Sequence, residues 1–231
     1  MILTSHQPNF LPYMGFFYKA YRSDVLVISD DVQFSKKGMH NWNYIFTKDG
    51  PKKLTLPVKA HHDTALKDVM VDQIDYSIGK IAKTLRQEYC HASHKEDGER
   101  VISLMEDIAS SMRKMPSMAG FNMCLNAAIM GMFGIRPEFH IASQMGIHGH
   151  KDERIFQMCE ELGADVYLSG TGAKAYHDEE EYARRGIELV YSDYKPLRYP
   201  QYNGYFVENL SVIDYVFNNG LTIPEEWRNA E

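Results

Sequence analysis

The chain has 231 residues, with 25 Lys+Arg against 31 Asp+Glu, 44% apolar and 24% charged residues, and a formal net charge of -6. This composition excludes disordered, collagen-like and disulfide-scaffold chains, and the length suffices for one large α/β domain with a sizeable core. Net acidity without a long Lys/Arg cluster argues against nucleic acid as the main partner.

Residues 1–5 (MILTS) are an apolar run that stops at the loop HQPNFLP, and YMGFFYKAYRS follows with Met14, Phe17 and Tyr21 at helical spacing. VLVIS (25–29), closed by Asp30-Asp31, has the continuous β-branched character of a parallel strand covered on both faces. Residues 1–31 therefore predict a βαβ unit. In NYIFTKDGPKKLTLPVK, Asp49-Gly50-Pro51 separates two strand-like runs, a hairpin signal, and VMV (69–71) predicts a third strand.

The middle of the chain is predicted helical. Asp75 caps a helix through Cys90, Glu99–Met115 carries a second, and Ser117 after Pro116 starts a third, so that 75–135 form a helical insertion or lobe. Ala119–Ile135 is the least charged stretch, contains Asn122 and Asn126, and falls short of the roughly 20 apolar residues of a bilayer span. It predicts a buried core helix, with the Met-rich run from Met112 to Met132 serving as packing.

The α/β rhythm resumes with FHIAS (139–143), a helix from Asp152 to Leu162, VYLSG (166–170), a short helix from Asp178 to Arg185, and IELVYS (187–192). Ser211 then caps VIDYVFNN, which Gly220 ends. Alternating strands and helices predict a mostly parallel sheet. Cys90, Cys124 and Cys159 are odd in number and lack CxxC spacing, the usage of reduced thiols. No signal peptide is expected: no basic flank precedes an apolar run, and Pro8 and Pro12 interrupt the start. The expected compartment is the cytoplasm.

Several groups of residues have the chemistry of a site. His6-Gln7-Pro8-Asn9 lies at the carboxyl end of the first strand, where open α/β sheets place ligands, although such residues also serve merely to bond a turn. Asp30-Asp31 end the next strand on the same rim and have the types for a base and its partner or for a cation; a solvated strand end is the plainer reading. Lys36-Lys37 read as a solvated loop unless they hold an anion. Met39–Tyr44 combines two carboxamides with two aromatics, the makings of a sugar- or base-stacking surface or of a packed hairpin edge.

His61-His62 and His148-x-His150 lack a third ligand at a metal-site spacing, so no metal is expected. At Lys151-Asp152-Glu153-Arg154 the cations and the free N–H groups of a helix start suit an anion, while Asp152 and Glu153 also offset the helix dipole. Ser169-Gly170-Thr171-Gly172-Ala173-Lys174 follows a strand with small residues, hydroxyls and a lysine, yet does not match a Walker motif.

The blocks HQPNFLPYMGFFYKA, DVLVISDDVQFSKKG, NWNYI, GADVYLSGTGAKAYHDEEEYARRGIELVY, YPQ and NLSVIDYVFNNG, in order from residue 2 to 220, resemble the WbqC-like family of bacterial polysaccharide-locus proteins. The matching positions are His6, Gln7, Pro8, Pro12, Gly15, Asp31, Gln33, Phe34, Asn41, Asn43, Ser169, Gly170, Tyr176, Asp178, Pro200, Gln201, Asp214, Asn218 and Gly220. Two positions depart from the family pattern. Tyr13 stands where Trp is expected, and Trp42 where Arg is expected, which removes a cation from that loop.

The resemblance implies a single domain over 1–231 that transfers an amino acid such as glycine, or a related acyl group, to sugars of O-antigen or similar glycans. The chemistry needs a base for the acceptor amine, donors for an oxyanion and cations for the activated donor or nucleotide. His6 is expected as the base and Asp31 as the group that orients it or a metal. Gln7, Asn41 and Asn43 are the donors, Lys151, Arg154 and Lys174 hold the anion, and Asn9, Ser169, Tyr176 and Asp178 complete the substrate set.

The expected ligand is a sugar or nucleotide-sugar, and the cofactor is open between ATP and another activated acyl donor. Two rivals stand beside this reading: a non-catalytic sugar-nucleotide binding or scaffold protein, and an ATP-dependent carboxylate-amine ligase.

Overall fold

The computed structural model describes residues 1–61, 63–201 and 204–228; His62 of the His61-His62 pair lies outside them. The first apolar runs become strands β1 (Ile2–His6) and β2 (Val25–Ile28), joined by helix α1 (Met14–Tyr21). They pair in parallel, Leu3 opposite Val25 through His6 opposite Ile28. After β2 the chain leaves the sheet for the antiparallel hairpin β3 (Trp42–Thr47) and β4 (Gly50–Thr55), with Gly50 at φ 104°, a value few other residues accept. The predicted third strand does not extend this hairpin. It forms a separate two-residue ladder, β5 (Val58–Lys59) with β6 (Met70–Val71).

Three helices follow: α2 (Ile74–Glu88), α3 (Lys95–Ser111) and α4 (Met118–Phe133). Asp75 does not cap α2. Gln73 enters it in a left-handed conformation, and Asp75 pairs with Arg113 instead. Helix α3 starts earlier than the spacing predicts because His94 donates its N–H to the Phe217 carbonyl and Gly98 lets the helix approach Phe217, whose ring a Cβ would meet at 2.1 Å. At α4 the local signals hold: the Ser117 side chain accepts the Gly120 N–H, and Gly134 closes the helix at φ 78°.

The chain then returns through β7 (Glu138–Ile141), α5 (Asp152–Leu162), β8 (Val166–Ser169), a 3-10 turn over Thr171–Tyr176, α6 (Glu179–Arg184) and β9 (Glu188–Tyr191). Helices α7 (Val212–Asn219) and α8 (Glu225–Arg228) follow. The main sheet is all parallel, in the order β7-β2-β1-β8-β9. Strand order therefore advances outward from β1 through β2 to β7, then reverses across β1 to β8. Such a reversal opens a crevice at the carboxyl ends of the strands.

Alternation along β2 divides the core in two. Leu26 and Ile28 join Phe16, Phe17 and the apolar faces of α2, α3, α4 and α7, whereas Val25 and Val27 join Leu3, Phe156, Met158, Tyr167 and Tyr182. The predicted helical lobe thus shares one continuous apolar core with α1 and one face of the sheet. Met118 and Met130 are fully enclosed in it, while Met115 is exposed. Among the described residues, no helix is long and apolar enough to cross a membrane.

Candidate functional site

A cleft of about 360 Å³ lies at the carboxyl ends of β1 and β2, lined by Ser5, His6, Gln7, Ser29, Val32, Lys151, Arg154, Ile155 and Met158. The first turns of α5 form its other wall. This is the rim to which the sequence assigns His6 and Gln7, and it brings Lys151 and Arg154 to them across more than a hundred residues of chain.

Gln7 is exposed and aimed. The His40 ring, buried beneath it, accepts the Ser35 N–H on Nδ1 at 3.4 Å, so Nε2 carries the proton and donates to Gln7 Oε1 at 2.8 Å. With its oxygen engaged, Gln7 presents its two N–H groups as donors. His40 belongs to the predicted aromatic surface but works as an internal brace, and burial holds its pKa below the usual value.

His6 donates Nδ1–H to the Gln7 carbonyl at 2.8 Å, which leaves Nε2 as an acceptor, and its ring packs edge-on to Phe16 of α1. Burial, and then the charge of Lys19, push its pKa down to about 3. An imidazole so reluctant to hold a proton is a weak general base. Lys19, which sequence reasoning missed inside a helical apolar run, donates Nζ to the Ser5 carbonyl at 3.1 Å and is itself pushed down to about 8 by burial.

The expected pairing of Asp31 with His6 is not made. Asp31 accepts Arg154 Nη2 at 2.6 Å on the α5 side of the sheet, whereas His6 turns to α1 on the other side. The reason is the pleat: His6 points with Leu26 and Ile28, and the turn after β2 carries Asp31 toward α5. Asp30 is buried and accepts both the N–H and the hydroxyl of Ser143, tying β2 to the loop after β7.

The expected oxyanion donors Asn41 and Asn43 are occupied elsewhere. Asn41 donates to the Leu56 carbonyl at 3.0 Å, and buried Asn43 donates to that of Leu11 at 2.7 Å while accepting the Tyr44 N–H. Asn43 thus fastens the hairpin to the loop after β1, and Asn41 ties the two ends of the hairpin together. The Asn9 carbonyl accepts Asn126, and its side-chain oxygen is enclosed. Trp42 carries the Lys53 ammonium over its ring at 3.9 Å, so a cation reaches this loop after all, from the neighbouring strand.

On the β8 side of the reversal, Ser169 Oγ lies 2.7 Å from His177 Nε2, and His177 Nδ1 lies 2.6 Å from Asp152 Oδ1. Asp152 Oδ2 accepts the Asp178 N–H at 3.0 Å, and the Tyr182 hydroxyl donates to Oδ1 at 3.2 Å. Asp178 itself caps α6 by accepting the Glu181 N–H. Tyr176 is 72% exposed, and Lys174 sits 5.3 Å over the Tyr191 ring, toward β9. Two of the three expected anion holders, Lys151 and Arg154, therefore share the cleft, while the turn after β8 carries Lys174 away from it.

A larger cavity of about 470 Å³ opens between the hairpin, the end of α2 and α7, and Asp214 lines it. That carboxylate is buried and already accepts Tyr89, Tyr199, the Phe46 N–H and Asn218, which ties four segments together. Burial raises the Asp214 pKa, and these donors oppose the shift. The motif residues Asp214 and Asn218 are thus part of the frame.

Fold and cleft define a doubly wound parallel α/β protein with a polar, cation-flanked crevice at its strand reversal. The sequence model of the WbqC-like protein family matches residues 7–225, and the chain belongs to that family. It is 27% identical over 225 residues to the uncharacterized protein Rv1507c of Mycobacterium tuberculosis, an alignment covering 96% of this chain and 95% of that one.

Proposed function

We propose that the protein transfers an aminoacyl group of the glycine type, or a related acyl group, from an activated donor to the amine of an amino sugar or nucleotide-sugar in the assembly of bacterial surface polysaccharide. One observation carries the reading: Lys151 and Arg154 meet Gln7 and His6 in a single cleft beside the strand reversal. Two cations suit the phosphates or the carboxylate end of an activated molecule, and a carboxamide aimed by His40 suits a sugar or acyl oxygen. The polysaccharide setting follows from the family resemblance.

Arg154 is held by Asp31 in this structure, so an anion competes for a guanidinium that is already positioned. A thermal-shift and calorimetric panel of nucleotides, nucleotide-sugars and amino acids tests the proposal, since a ligand selective for the native state raises its stability. Arg154→Glu is expected to weaken an anionic ligand by several-fold to about a hundredfold, the loss of one charge-assisted bond, and to affect a neutral analogue far less. Equal affinities before and after the change would remove this cleft from the proposal. Binding without acyl transfer to any amino sugar would leave a sugar-nucleotide binding protein.

A further inference from the structure

We infer that Ser169, with His177 and Asp152, forms a nucleophilic site at which the acyl group is carried as a covalent ester between donor and acceptor. The inference rests on the acyl-transfer reading above and assigns it a route. A carboxylate only accepts, so Asp152 fixes the proton of His177 on Nδ1. That leaves Nε2 as the acceptor for the Ser169 hydroxyl, which lies at 2.7 Å. Carboxylate, imidazole and hydroxyl in that order are the wiring by which a serine is activated, whatever the chain order of the three.

The three residues come from three places: the end of β8, the segment before α6 and the first residue of α5. Ser169 and His177 stand 8 positions apart and His177 and Asp152 25, so the fold closes both contacts. None of the three lines the cleft, but the network adjoins it. Asp152 stands between the cleft residues Lys151 and Arg154 on α5, and Ser5, which lines the cleft, is bonded at 2.9 Å to the Tyr167 hydroxyl on the same face of β8 as Ser169. An activated carboxyl compound anchored on the α5 cations is therefore held within reach of the neighbouring strand end. Asp152 also anchors α6 through the Asp178 N–H and the hydroxyl of buried Tyr182, yet the stretch between serine and imidazole is not what it secures. The 3-10 turn that Ser169 and His177 bracket buries none of its residues.

In the step itself, Ser169 Oγ bonds to the carbonyl carbon of a thioester, acyl phosphate or comparable activated ester while its proton passes to His177 Nε2. Asp152 steadies the imidazolium as a positioning residue. The tetrahedral carbon collapses, and the donor's leaving group departs with the proton from His177. The acceptor amine then attacks the serine ester and gives a proton to His177. Ser169 Oγ leaves and recovers that proton, so that an amide forms and the enzyme is unchanged. Ser169 is 2% exposed, and access comes as the Thr171–Tyr176 turn lifts; with no buried side chain, little apolar contact holds it down.

The test treats the full chain with a fluorophosphonate, which loses fluoride to an activated serine oxygen, and reads the adduct by intact mass and peptide mapping. One adduct is expected at Ser169, none there in Ser169→Ala, and a labelling rate at least about a hundredfold slower in His177→Gln and in Asp152→Asn. Of these two variants, the one that keeps the wild-type melting transition is scored. A folded wild-type chain with no adduct at Ser169, or a rate indifferent to the imidazole, overturns the inference. Calorimetry with nucleotide-sugars separates the two readings. Binding without labelling removes the nucleophile and leaves the cleft, whereas labelling with no binding by any of them removes the proposed acceptor and leaves the nucleophile.

Discussion

The two connections that flank the strand reversal are built in opposite ways. After β1, the loop that carries His6 and Gln7 is fastened carbonyl by carbonyl: Pro8 to Asn122, Asn9 to Asn126, and Leu11 to Asn43 and Ser211. After β8, the turn Thr171–Tyr176 buries none of its residues and leans on the network of Ser169, His177 and Asp152 at its two ends. A rigid wall that aims donors thus faces a lightly held cover over a serine. The pairing suits a site that must position one reactant and admit another, because preorganised donors gain from rigidity while access needs a segment of low local stability.

The largest effect is expected from breaking the rigid wall. Asn122 donates to both the Pro8 and the His40 carbonyls, at 2.8 and 2.7 Å. Asn122→Ala strands two buried acceptors and should cost about 2–4 kcal/mol. For a chain of this size that is roughly 5–15 °C in Tm, readable by calorimetry. A loss below 1 °C would mean that these carbonyls need no partner and that the wall is not held as described.

The second experiment probes the charge under that wall. The native pKa of Lys19, about 8, lies below its ordinary 10.5. Between those values the unfolded state binds more protons, so this residue's contribution to stability rises with pH and the penalty of burying its charge fades. Lys19→Met should therefore be more stable than wild type at pH 7, and the gap should narrow from pH 8 to 10.5. Denaturant titrations of both proteins across that window read the difference. A gap independent of pH would place the ammonium in contact with water. In the same variant the His6 pKa should rise from about 3, because the second cause of its depression is gone; NMR titration of the imidazole reads that shift.

The smallest effect is expected on the cover. Tyr176→Ala should change stability by no more than about 0.5 kcal/mol, since its side chain is exposed. Hydrogen exchange sharpens the contrast without mutation. The Phe10 amide, bonded to the Met39 carbonyl at 3.1 Å, is expected to exchange only on global unfolding, and those of the Thr171–Tyr176 turn by local opening. Equal protection of the two segments would erase the distinction.

Local signals were legible in the sequence wherever a residue acts on its own neighbours. Ser117 and Ser211 begin helices as their positions predict, Gly134 closes one, Asp178 caps the short helix expected to start at it, and the β-branched runs form the parallel strands. Asp75 failed as a cap because Gln73 took the left-handed entry and Arg113 offered Asp75 a partner 38 positions away. Of the candidate site, His6, Gln7, Lys151 and Arg154 were placed on one rim by the rule that strand ends carry ligands. Asn41 and Asn43 were misjudged because a carboxamide suited to a substrate is equally suited to a backbone carbonyl, and composition does not say which lies nearer.

By itself, the sequence determined the family, the alternation of strand and helix, and the rim on which polar residues gather, since each depends on periodicity or on a motif read within a few neighbouring positions. Only the tertiary structure decided that β8 pairs with β1, that Asp31 serves Arg154 and not His6, and that His177 joins Ser169 to Asp152. The physical reason is range. Strand order and side-chain pairing are set by which apolar faces cover one another in the folded core, and residues in contact there, such as Ser5 and Tyr167, stand 162 positions apart in the chain.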